Sequence, residues 1–291
     1  MRKNLTALSR TRVVGLSLVC LLFWGGSVRA HPPWDDQLEV LEEQIREEPL
    51  NASLYVRRAD LKKELGNTRS ALIDYDRASE IDPELDLVDL GRGLLYLGIE
   101  DPTMAQFFLD RFLDQNPEHA KALLASARAL RQLGELDLAA SRYERAIGGF
   151  KVVKPAFFVE LAEVQIESGD HHAAIKTLDE GMRRFGPLTS LQIRAIDILD
   201  DQGNTQKALI RLDRLTESSP QTARWLLRRG ELLESAGRLV EAEAAYVKSR
   251  SELDKQMKGS RKNRSLVALE RRLIRAQKRL ESPVSSQGEA S

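Results

Sequence analysis

An alanine returns along this chain at an almost constant interval. Ala71, Ala105, Ala139, Ala174, Ala208 and Ala242 are separated by 34, 34, 35, 34 and 34 residues. Four residues after each stands a large apolar or aromatic side chain: Tyr75, Leu109, Tyr143, Leu178, Leu212 and Tyr246. Five residues before five of the alanines stands a glycine: Gly66, Gly134, Gly169, Gly203 and Gly237. In the remaining unit Gly98 lies seven before Ala105, and "IEDPTM" is expected to lengthen that turn. Residues four apart share one face of a helix, so each alanine and its large partner bury together. A period that keeps register from Ala71 to Ala242 describes stacked like units, none of which closes a core alone. The composition agrees: of 291 residues, 30% are charged and only 5% aromatic, which suits an elongated helical molecule better than a compact sheet enzyme.

In "LYVRRADLKKELGNTRSALIDYDRASEIDP" (Leu54 to Pro83), Ala59, Leu65, Gly66, Ala71, Tyr75, Ala78 and Pro83 each have a physical task. The small residue at Ala59 (Gly91, Ala127, Ala162 and Gly230 in other units) allows close helix approach, and Gly66 suits a helix end that needs positive φ. On these residues the units resemble the tetratricopeptide repeat, over roughly residues 50 to 250. The resemblance implies an all-α fold, a right-handed α-solenoid of six helix pairs across 51–253 with flanking capping helices. Ile196 replaces the small residue in the fifth unit, where slight splaying is expected. The third unit lacks its proline and runs through "GGFKVVKP" toward Pro155. The sixth is expected to extend its second helix past Ser249.

Leu38, Leu41 and Ile45 form the apolar stripe of a leading helix within 31–50. Leu266, Leu269, Leu273, Ala276 and Leu280 form that of a basic amphipathic closing helix within 254–281. Residues 282–291 are a polar tail expected to be disordered. At the other end, Arg2, Lys3, Arg10 and Arg12 precede the apolar run Val13 to Trp24, with small residues Val28 and Ala30 following. This is the pattern of a secretory signal peptide over 1–30, and it points to an exported protein, periplasmic or extracellular. The rival reading is an uncleaved membrane anchor, although the run is shorter than the roughly 20 residues of a span. Cys20 is the sole cysteine, so a mature chain would hold no disulfide and no thiol chemistry.

The resemblance implies that first helices line a concave surface, with positions two, five, nine and twelve of each unit facing it. Position five reads Val56, Val88, Leu124, Val159, Ile193 and Leu227; position nine reads Asp60, Arg92, Arg128, Glu163, Asp197 and Glu231. Arg131, Asp200 and Glu234 add charge at position twelve. The functional expectation is a groove with an aliphatic floor, positive around the second and third units and negative from the fourth to the sixth. The bland alternative has the position-five residues packing between first helices and the charges forming a solvated face. Family members that grip a terminal carboxylate use lysine at position five and asparagine at nine, and neither stands there.

From Lys248 to Leu280 there are twelve basic and three acidic residues, so the formal net charge of zero hides an asymmetry. Arg264, Arg271, Arg272, Arg275, Lys278 and Arg279 offer a surface to an anionic polymer or membrane; otherwise they keep the closing helix soluble. The basic helix has no aromatic residue, so no stacking platform speaks for nucleic acid. No glycine-rich phosphate loop, Gly-x-Ser-x-Gly elbow or paired-histidine zinc helix occurs, and the adjacent His171 and His172 diverge on a helix. The expectation is a noncatalytic interaction scaffold of the bacterial envelope without cofactor or metal, binding a protein or peptide segment in its groove. An accessory factor of envelope or polysaccharide export, held by the basic helix, is the alternative.

Overall fold

The computed structural model describes residues 34–218, 221–259 and 263–281. The expected signal segment 1–30 and polar tail 282–291 lie outside them. Every regular element among the described residues is α-helical. A leading helix, α1 (Trp34–Glu47), precedes pairs formed by α2 (Ala52–Glu64) with α3 (Thr68–Ile81), α4 (Leu87–Gly98) with α5 (Pro102–Gln115), and α6 (Ala120–Leu133) with α7 (Leu136–Gly149). Then follow α8 (Pro155–Glu167) with α9 (His171–Phe185), α10 (Thr189–Asp201) with α11 (Thr205–Ser218), α12 (Thr222–Ser235) with α13 (Leu239–Gly259), and α14 (Arg264–Glu281). Each pair packs on itself and on the next, and first helices also touch first helices, as α2 does α4 and α4 does α6. The result is a solenoid.

The repeated residues do what their spacing implies. Ala71, Ala105, Ala139, Ala174, Ala208 and Ala242 have no exposed surface, and Tyr75, Leu109, Tyr143, Leu178, Leu212 and Tyr246 are buried with them. Three adjoining apolar clusters run from α1 to α14. Small residues admit the large ones. A Cβ added at Gly91 would lie 2.5 Å from the Tyr75 ring, and one at Gly230 would strike Tyr246. The Tyr75 hydroxyl donates to Asp60 Oδ1 at 2.7 Å. Burial raises its pKa, and the neighbouring Asp60 carboxylate adds to the effect.

Gly66, Gly134, Gly169, Gly203 and Gly237 all have φ between 70° and 86°, the left-handed conformation that closes a first helix. The second pair departs from expectation. Its turn is not lengthened: α4 ends at Gly98 and α5 begins at Pro102. Glu100, five before Ala105, takes the left-handed position at φ 61°. Gly98 instead belongs to the helix.

In the fifth pair Ile196 is buried, and α10 and α11 are the least intimately packed of the hairpins. Between α7 and α8 the irregular segment is pinned by buried Val153, and Pro155 opens α8. The expected boundary at 254 falls inside α13, which runs on to Gly259 because Leu253 is fully buried; α14 starts only at Arg264. Leu269, Leu273 and Ala276 seat α14 against the last pair, and Leu41 and Ile45 seat α1 against the first.

Candidate functional site

The expected aliphatic floor is a packing seam. Val56 is 5% exposed, Val88 2%, Leu124 6% and Leu227 1%. Position five is buried in the stack in these four units, and of the four only Leu227 borders a hollow described below. Val159 and Ile193 are partly buried and pack against the core. For most of the series this burial accords with packing between helices.

The charges of position nine are engaged as well. Arg128 (α6) donates through Nε and Nη2 to both oxygens of Glu160 (α8), at 2.8 and 2.9 Å. Glu163 (α8) receives Arg194 (α10) in the same two-pronged way, at 2.6 and 2.7 Å. Asp197 (α10) accepts from Arg228 (α12) at 2.7 Å, and Asp200 from the same guanidinium at 3.3 Å. Glu231 (α12) accepts from Arg272 (α14) at 2.9 Å. At position twelve, Arg131 meets Glu167, and Glu234 accepts from Arg279 at 2.9 Å while taking the Tyr246 hydroxyl. Arg131 holds the Glu167 carboxyl below its ordinary pKa, and Arg279 does so for Glu234. Apart from the Tyr246 hydroxyl, these bonds join one first helix to the following one, or α12 to the closing helix α14, like rungs along the inner wall.

The expected division into a positive and a negative half is cancelled by partners that the position-nine series did not include: Glu160, Glu167, Arg194 and Arg228. Three of these stand at position six, each opposite in sign to position nine of the preceding unit. That complementarity was readable in the sequence. The first two units differ: Arg92 pairs with Asp76 and lies 5.3 Å from the centre of the Phe108 ring, while Asp60 pairs with Lys63 and Tyr75. Of the six basic residues singled out on α14, Arg272 and Arg279 are inner rungs.

Open space remains beside the rungs. One hollow of about 880 Å3 is bounded by residues of four first helices, α2, α4, α6 and α8. Leu94 and Leu97, both partly exposed, supply its apolar surface. Lys121, exposed at its rim, has no ion pair among the described residues. A second hollow, of about 580 Å3, lies where α10, α12 and α14 meet; Ile193, Leu227 and Leu269 line it beside Arg224, Arg228 and Arg272. Arg224 is exposed and unpaired among the described residues. Trp225, 3% exposed, stands in its wall with a buried Nε1 that finds no acceptor among the described residues. Lys121 and Arg224 both occupy position two, a groove-facing position of the family whose residues the sequence reading passed over.

Among the described residues no group of three or more His, Cys, Asp or Glu is arranged to hold a metal ion, and no helix is long and apolar enough to cross a membrane.

This geometry defines a class, a helical-repeat trough bonded along its length and open at intervals. Tetratricopeptide-repeat family models match residues 52–85, 90–151 and 193–251. The chain belongs to the tetratricopeptide repeat family, whose fold is generally a protein-interaction scaffold. The pair α8–α9 falls between the matched segments. Among solved structures, PilW, a widely conserved type IV pilus biogenesis factor, is 20% identical, with 63% of this chain and 85% of PilW covered and a TM-score of 0.53. A tetratricopeptide repeat protein from Parabacteroides merdae ATCC 43184 is 18% identical, covering 83% of this chain and 92% of its own at a TM-score of 0.50. MamA from Desulfovibrio magneticus RS-1 is 17% identical, with 52% and 84% covered and a TM-score of 0.47. At such identities the likeness to PilW and to the Parabacteroides merdae protein is one of fold. No curated protein matches the sequence.

Proposed function

We propose that this protein is a noncatalytic scaffold that holds a segment of a partner protein in the trough of its first helices, and that the segment carries carboxylates beside aliphatic side chains. The observation that carries this reading is the pairing pattern. The rungs engage most of the inner-wall charges named above and leave Lys121 and Arg224 without an ion pair among the described residues, beside the partly exposed aliphatics Leu94, Leu97 and Ile193; Glu64, exposed in the first hollow, is a carboxylate likewise left without one. A cation with no ion pair among the described residues, next to an apolar patch, favours a ligand offering the opposite charge and matching apolar anchors. The setting we propose is the bacterial envelope or its exterior, on the strength of the basic start and apolar run of residues 1–30.

Selection from a random peptide library displayed on phage tests the reading. Enriched peptides should combine Asp or Glu with Leu, Ile or Val, and their binding should fall at least about tenfold with Lys121→Glu or Leu97→Asp while helix content is unchanged. Enriched peptides without carboxylates, or binding indifferent to both substitutions, would reject it.

A further inference from the structure

We propose that the two ends of the solenoid dock on each other, α1 of one molecule lying along α14 of a second copy, so that molecules join head to tail. The ends are opposite in charge: α1 carries six acidic residues and one basic, α14 six basic and two acidic. Among the described residues, α1 packs chiefly on α2 and α14 on α13 and α12, and each end helix keeps an exposed outer face.

Those faces match in detail. On α1, Asp36, Val40, Glu43 and Glu47 follow at steps of four, three and four, one straight exposed stripe with Glu39 beside it. Asp36, Glu39 and Glu47 have no ion pair among the described residues, and Glu43 meets only its neighbour Arg46. On α14, Arg264, Ala268, Arg271 and Arg275 follow at the same steps and are exposed. Arg264, Arg271 and Arg275 have no ion pair among the described residues, because Arg272 and Arg279 turn inward to Glu231 and Glu234. The α1 stripe also holds an exposed aliphatic residue, Val40 at 55%, and on α14 Ile274, at 49%, is exposed to one side of the basic stripe. The basic face singled out for an anionic partner thus finds its complement on the same chain. The contact joins two different faces head to tail, a heterologous arrangement that propagates into chains or rings.

Sedimentation velocity of the full chain over a range of concentrations is the test. At low salt the sedimentation coefficient should rise with concentration, and at about 1 M salt, where charges are screened beyond roughly 3 Å, it should fall to that of the monomer. Glu39→Lys with Glu43→Lys, or Arg271→Glu with Arg275→Glu, should each stay monomeric alone, and an equimolar mixture of the two variants should associate again. All four positions are exposed, and circular dichroism verifies that the variants fold. A wild-type chain that is monomeric at low salt overturns the proposal, also if it then sediments with phosphatidylglycerol vesicles. Association that survives both charge reversals, or that Lys121→Glu abolishes, overturns it as well, the latter by moving the acidic stripe into the trough.

Discussion

Arg228 on α12 reaches back to α10 and binds two carboxylates, Asp197 at 2.7 Å and Asp200 at 3.3 Å. One guanidinium thereby bonds two consecutive first helices. Its side chain is 29% exposed and those of the two carboxylates 34% and 18%, so solvent screens the interaction. Arg228→Ala should therefore cost only about 1 kcal/mol in urea denaturation. A double-mutant cycle with Asp197→Ala should return about 0.5 kcal/mol of coupling. Coupling near zero would make the rungs ornaments of a stack held by its apolar seam alone.

The rungs also make a prediction about acid. Glu167 and Glu234 are held below the ordinary carboxyl pKa, chiefly by hydrogen bonds from Arg131 and Arg279. A carboxyl whose folded pKa is depressed contributes stability above its unfolded value, near 4.3, and loses it as pH falls toward the folded value. Thermal stability should accordingly be level near neutrality and decline below about pH 4.5. In Glu234→Gln the decline should be shallower, since one of the titrating groups is gone. A steeper decline in that variant would contradict the assignment.

Glu100 is the one residue other than glycine with positive φ among the described residues. Left-handed backbone costs a residue with a Cβ roughly 1 kcal/mol, and glycine avoids that cost. Glu100→Gly should raise the stability to urea by up to about 1 kcal/mol, whereas Gly134→Glu, at φ 81° in the corresponding place, should lower it by a similar amount. Equal stabilities of wild type and Glu100→Gly would show that Glu100 has a compensating contact.

The stacked helices were legible because a hairpin is specified locally. Ala71, Tyr75 and Gly66 lie within ten residues of one another, and each acts within one pair or its immediate neighbour. The shift at Glu100 was missed because Gly98 looked like the same punctuation two residues early, when the helix simply absorbs it. The inner wall was legible only in part. Three of its rungs join residues 31 or 32 apart, as in Glu163 with Arg194 and Arg128 with Glu160, so they appear only when position six is set against position nine of the preceding unit. The position-five series misled for a related reason. Uniform aliphatic character at one register marks burial, whereas position two, with Lys121 and Arg224, varies from unit to unit.

Packing around Tyr75 sets the final expectation. Its ring fills the space left by the missing side chain of Gly91, and its hydroxyl anchors to Asp60, so one residue ties α2, α3 and α4 together. A methyl group at Gly91 would sit 2.5 Å from a ring that is fully buried and cannot swing away. Gly91→Ala should cost about 1–3 kcal/mol through overpacking, although alanine is intrinsically the better helix former by about 1 kcal/mol. Tyr75→Leu in the Gly91→Ala background should recover part of the loss by clearing that space, at the expense of the bond to Asp60. Gly98 provides the control, for a Cβ there meets nothing within 4 Å and the residue lies at the end of the same helix. Gly98→Ala should be neutral or slightly stabilising. If urea denaturation ranks Gly91→Ala and Gly98→Ala equally, the close approach of α4 to Tyr75 is not what holds the first two pairs together.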